Sequence, residues 1–243
     1  MYSAQSEPSG VTKPWQSKAW IQLLAVLIGV LPLYYSGIAS HLRRGHPIST
    51  PGFIFYLAVI APLSIVIALL ILRVLCGEDP RDLNLKPGKP SSDLLAALIL
   101  CPVIIVANVI SIFFLSQWIP ESRSYPDVRN LFLDLASSPG LLILFVGLIL
   151  LGAASEEVIR AFLLSRLWKV WSSTTGKLAA VVISACLFGL LHLYQGPVSA
   201  TWTAILGLIM ALYYFRFGRV APLILAHYLT NMLQVVVAVL QAR

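Results

Sequence analysis

Seven long apolar stretches, separated by short connections that hold most of the charged and turn-forming residues, set the rhythm of this chain. They run over 19–38, 53–76, 93–119, 140–167, 178–194, 200–217 and 220–240. A helix of about 20 apolar residues crosses about 30 Å of hydrocarbon, so the pattern predicts seven transmembrane helices, with 178–194 and 200–217 the shortest. The expected fold class is all-α, a polytopic integral membrane helical bundle of seven to eight spans forming one membrane domain over 19–243. Residues 1–18 are polar and rich in Ser, Pro and Gln, and read as a disordered tail. The apolar run after them exceeds the 7–15 residues of a signal-peptide core, so it is expected to be an uncleaved span. The connections HLRRGHPISTPG, GEDPRDLNLKPGKPSSD and PESRSYPDVRN carry breaker residues. Val128, Leu131, Phe132 and Leu135 recur at helical spacing beside charges, which predicts a short interfacial helix within 121–138.

Composition agrees. The chain is 58% hydrophobic and 11% charged with a mean hydropathy of +0.86, against about 25% charged in soluble domains. A net charge of +7 would suggest nucleic acid in a soluble protein, but here it sits in connections, where it sets topology; the expected partner is the bilayer, with no nucleic acid. On seven spans the amino-terminal side carries Lys13, Lys18, Arg73, Arg81, Lys86, Lys89, Arg166, Lys169, Lys177, Arg216 and Arg219. The other side carries Arg43, Arg44, Arg123, Arg129 and Arg243. That asymmetry predicts a cytoplasmic amino terminus and a carboxyl terminus on the opposite side. Cys76, Cys101 and Cys186 form no CxxC pair, so neither a disulfide framework nor a cysteine zinc site is expected.

The informative residues are the polar ones inside the apolar stretches. Eight of the ten acidic residues lie outside the spans or at their edges, which leaves Glu156 and Glu157 in LGAASEEVIRAFLL, together with Arg160. Insertion of an ionisable residue at a bilayer centre costs roughly +2.5 to +3.5 kcal/mol, so each must be paired or used. His41 and His46 fall in a loop, whereas His192 and His227 are intramembrane. At about 1.5 Å per residue, Glu156 lies about 17 Å from the cytoplasmic end of its span, His192 about 21 Å, His227 about 11 Å and Asn231 about 17 Å. Four polar residues from three helices thus share roughly one layer. Glu156 and Arg160 at i and i+4 could also be a plain intrahelical ion pair, and each histidine an interhelical hydrogen-bonding partner. Asn108 and Gln234 read as interhelical bonds, and Phe188 fits packing.

Phe188 to His192, FGLLH, resembles the FxxxH motif, and His227 to Asn231, HYLTN, the HxxxN motif, of the CAAX-protease and bacteriocin-processing family, intramembrane proteases that include the CAAX prenyl protease 2 type. SEEVIRAFLL is similar to its EExxxR motif. The ordered motifs and their flanking text cover about residues 140–240, and DLNLKP resembles a further family element. One departure stands out: Glu157 and Arg160 enclose two residues, Val158 and Ile159, where the family has three. Matching the glutamates gives Glu156 the catalytic place and shifts Arg160 by one; matching Arg160 puts Ser155 there instead. The first register is taken, because a serine in place of the general base leaves no residue for the chemistry.

The resemblance implies an intramembrane endopeptidase acting on a membrane-associated peptide or protein, possible lipidation of the substrate included. In it Glu156 is the general base, His192 holds the same water, and His227 and Asn231 serve the oxyanion. Glu157, Arg160 and Phe188 support them, with Arg160 expected to pair mainly with Glu157. No cofactor is required by the sequence; zinc is possible, and Glu156, His192 and His227 would be its ligands. The competing readings are a transporter or proton pathway, since intramembrane Glu, His and Arg also make relays, and a catalytically inactive peptide-binding relative.

Overall fold

The computed structural model describes residues 18–42, 50–83, 85, 88–118, 134 and 138–241. The expected tail at 1–17 and all but Asp134 and Ser138 of the expected interfacial helix lie outside the described residues. Among the described residues the chain forms seven long helices: α1 (Ala19–Leu42), α2 (Thr50–Val74), α3 (Pro90–Trp118), α4 (Pro139–Val170), α5 (Thr174–Leu191), α6 (Pro197–Phe217) and α7 (Ala221–Gln241). α2 to α6 each contain a stretch long and apolar enough to span a membrane, while the described apolar parts of α1 and α7, Ala19–Leu33 and Ala221–Val237, are shorter. The protein is an all-α integral membrane bundle. His41, read as a loop residue, instead belongs to the last turn of α1.

Prolines and glycines place the boundaries. Ser138 and Pro139 open α4, Pro197 opens α6, and Gly218, left-handed at φ 63°, closes α6 by donating its N–H to the Tyr214 carbonyl at 2.7 Å. Ser173 caps α5, its hydroxyl accepting from the Gly176 N–H. Inside α2, Pro62 has no N–H for the carbonyl one turn back, and the chain takes up the mismatch in a π-helical turn at Tyr56–Ile60.

α4 is the centre of the bundle. Half of its apolar stretch is buried, against 11% for α3, and it packs on α1, α2, α5, α6 and α7. Its 32 residues are apolar around the circumference, the pattern of a helix surrounded by others. α5 and α6 form an antiparallel pair so close that a Cβ at Gly189 would lie 2.6 Å from the Ala200 carbonyl oxygen and 2.8 Å from the Ala204 Cβ. Small residues permit this approach of two helix backbones. Gly189→Ala gains about 1 kcal/mol in helix propensity. It must also push backbone apart, at about 1–3 kcal/mol. Net destabilisation is expected, read as a lower midpoint of thermal unfolding in detergent; an unchanged or higher midpoint would show that the two helices can separate freely.

A buried ion pair locks one end of the bundle. Glu78, just beyond α2, accepts hydrogen bonds from Arg166 Nη1 at 2.6 Å and Nη2 at 2.5 Å, and from Lys169 Nζ at 2.6 Å. Arg166 Nη1 also donates to Gln22 on α1 at 2.9 Å. This joins α1, α2 and α4. Nearby, Arg219 before α7 pairs with Asp93 on α3. Burial alone would raise the Glu78 carboxyl, but hydrogen bonds and charge from Arg166, then Lys169, outweigh it and hold the carboxyl below its ordinary range. The stabilisation is therefore complete above the unfolded pKa of about 4.3 and is lost as pH falls through the lower folded value. The unfolding midpoint is expected to drop below about pH 4.3, and Glu78→Gln to flatten that part of the profile. A Glu78→Gln profile as steep as the parent's would assign the acid sensitivity to other groups.

Candidate active site

Consecutive residues on a helix point about 100° apart, so Glu156 and Glu157 cannot share one partner, and α4 gives them different surroundings. Glu157 is fully buried and binds Arg160 one turn on, accepting from Nε at 3.0 Å and from Nη2 at 3.1 Å. This two-bond pairing fixes the guanidinium plane. The third nitrogen, Nη1, donates to the Gly207 carbonyl on α6 at 2.9 Å, and the guanidinium carbon lies 4.1 Å from the centre of the Phe188 ring on α5. Charge, hydrogen bonds and a cation–π contact together accommodate an arginine whose side chain is 2% exposed. Gly207 is part of that fit: a Cβ there would lie 3.0 Å from Nη1.

His227, buried on α7, faces both glutamates. Its Nδ1 is 2.9 Å from Glu157 Oε1, and its Nε2 is 3.5 Å from Glu156 Oε2. A carboxylate paired with arginine only accepts, so Nδ1 carries the proton and donates it to Glu157. The Nε2 distance to Glu156 exceeds a direct hydrogen bond. Glu156, 12% exposed at its side chain, has no Lys or Arg partner among the described residues.

His192 stands where α5 ends, not inside a span as its apolar context suggested. Leu191 is the last helical residue; Leu193–Gln195 make one 3-10 turn, and Gly196 at φ 104°, ψ 163° takes a conformation open to glycine before Pro197 opens α6. His192 Nδ1 lies 3.0 Å from the Phe188 carbonyl oxygen, one of those a helix end leaves open, so Nδ1–H donates and Nε2 keeps its lone pair. The Phe188 ring meets the His192 ring edge-to-face at 4.9 Å and the His227 ring at 6.0 Å. Phe188 thereby touches Arg160, His192 and His227.

Of the residues singled out in the sequence, Glu156, Glu157, Arg160, Phe188, His192 and His227 thus meet in one cluster drawn from α4, α5 and α7. Asn231, half-buried one turn beyond His227 on α7, stands outside its hydrogen-bonded network. Gly207 carried no signal in the sequence, since its role is played by a carbonyl that any residue has. Asn108, expected to bond across helices, leaves its buried Oδ1 without a partner among the described residues. Zinc does not fit the side chains as they stand. Among the described residues no three His, Cys, Asp or Glu side chains gather round one point, and both His227 nitrogens face carboxylates.

The cluster lies within residues 138–233, which match the family model described as type II CAAX prenyl endopeptidase, Rce1-like. No curated protein and no solved structure matches the chain.

Proposed function

We propose that this chain, whose residues 138–233 match the type II CAAX prenyl endopeptidase family model, belongs to that family and hydrolyses a peptide bond of a membrane-associated substrate with Glu156 as general base. The family is one of intramembrane proteases, so bilayer and peptide are its partners. The observation that carries the assignment of the base is the unequal treatment of the two glutamates. Glu157 is committed to Arg160 and His227, whereas among the described residues Glu156 has only His227 Nε2, at 3.5 Å. A base must have a lone pair to give.

In this reading a water between Glu156 and His192 loses a proton to Glu156 as its oxygen attacks the scissile carbonyl carbon. The His192 Nε2 lone pair accepts a hydrogen bond from the O–H that the water keeps, with Nδ1–H anchored on the Phe188 carbonyl. The carbonyl oxygen becomes an oxyanion, served by Asn231 and by His227 through Nε2 when that nitrogen is protonated. The carbon–nitrogen bond then breaks as Glu156 passes its proton to the leaving amine, giving an amine and a carboxylic acid that ionises to solvent. Glu157 and Arg160 act on this step only by holding the His227 ring.

The test is cleavage of a prenylated CAAX peptide by the purified, detergent-solubilised protein, with product masses locating the broken bond. Loss of cleavage in Glu156→Gln is the expected result. Binding of the peptide with no cleavage by the parent would instead support an inactive peptide-binding relative.

A further inference from the structure

The turn that ends α5 presents a second hydrogen-bond donor beside this cluster. Because the 3-10 turn Leu193–Gln195 follows His192 directly, Tyr194 folds back on it, its ring stacked over the imidazole at 6.2 Å and 25°. The Tyr194 hydroxyl accepts a hydrogen bond from Gln195 Nε2 at 2.7 Å. An oxygen that accepts on one side must send its own proton elsewhere. Among the described residues nothing accepts that proton, although Tyr194 is half-buried.

The proposed reaction has a matching need. His227 spends its Nδ1–H on Glu157, which leaves a single ring nitrogen for the reacting carbonyl, with Asn231 as the other donor in that reading. An oxyanion is ordinarily stabilised by more than one preorganised donor. A phenol O–H fixed by stacking and by an accepted hydrogen bond is such a donor, and it donates a hydrogen bond while keeping its proton and staying neutral.

We infer that Tyr194 is a further catalytic residue, whose O–H donates to the oxyanion formed on the scissile carbonyl; this rests on the hydrolytic reading above. Gln195 is the positioning residue that fixes the hydroxyl. The donor acts on charge that develops during reaction, so it belongs to turnover and not to substrate binding.

Tyr194→Phe tests this, since it removes one oxygen and keeps the ring on His192. On the prenylated CAAX peptide kcat is expected to fall by about 10²-fold with KM nearly unchanged. A peptide with a phosphinate in place of the scissile amide, which mimics the tetrahedral intermediate, should bind Tyr194→Phe more weakly by a similar factor, while the uncleaved peptide binds equally to Glu156→Gln with and without Tyr194→Phe. Gln195→Leu breaks the same hydrogen bond but leaves the O–H, and should cost far less than Tyr194→Phe. If the two variants lose equally, or if Tyr194→Phe raises KM alone, the role is structural and the inference is overturned. An active parent with Tyr194→Phe at the parental kcat overturns it as well, leaving the Glu156 assignment in place. A parent that cleaves nothing overturns the hydrolytic reading and this inference together.

Discussion

Glu156→Gln is expected to lower turnover by about 10²- to 10⁴-fold, the usual weight of a general base, with the fold intact. Gln keeps the size and an acceptor oxygen but cannot take the water proton. It also breaks no direct hydrogen bond, because the nearest partner, His227 Nε2, stands at 3.5 Å. Glu157→Gln should show the opposite balance. Its amide would turn a donor towards groups that already donate, Arg160 on one side and His227 on the other. A buried cation losing its partner costs about 3–5 kcal/mol, so unfolding should be affected more than the chemistry of whatever protein remains folded. Activity retained in Glu156→Gln and abolished in folded Glu157→Gln would transfer the base to the second glutamate. Equal processing by parent and both variants would end the protease assignment.

Arg166→Met should destabilise the bundle by about 3–5 kcal/mol, the cost of leaving a buried carboxylate without its cation. Arg166 is among the largest fully buried side chains, and its partner Glu78 is also buried. Lys169 does not substitute for it: its side chain is 49% exposed and makes one of the three bonds to Glu78. The double variant Arg166→Met/Glu78→Gln should recover much of the loss, because replacing both members of a buried pair leaves no stranded charge. Thermal unfolding of the four proteins forms the cycle. A single variant within about 0.5 kcal/mol of the parent, the range of ordinary surface substitutions, would mean that water reaches this end of the bundle.

Sequence by itself determined the span pattern, because an apolar run in lipid must satisfy its backbone within one helix and has little other choice. Each of the seven apolar stretches forms a helix over most of its described residues; 200–217 lengthens to Pro197–Phe217, while 178–194 becomes Thr174–Leu191, gaining a turn at its start and losing residues 192–194 at its end. It also isolated the polar residues worth examining, since an ionisable group in such a run is costly enough to stand out.

Which polar groups meet was decided by tertiary structure. On a helix both i+3 and i+4 are within reach of an arginine, so spacing alone did not separate Glu156 from Glu157, and the expected Glu157–Arg160 pair followed from giving Glu156 the role of base. The choice came from His227 on α7 and the Gly207 carbonyl on α6, which hold Glu157 and the guanidinium from other helices. Glu78 and Arg166 looked like charges at the edges of spans; 88 residues apart, they meet because the end of α4 folds beside the link after α2. His192 looked intrahelical because hydropathy is blind to a tight turn made of Leu, Tyr and Gln, in which the chain leaves α5 at His192 and reaches α6 through Gly196. Local pattern fixes where a chain is helical and where a charge is expensive. Partner choice depends on contacts tens of residues away, and only the packed bundle contains them.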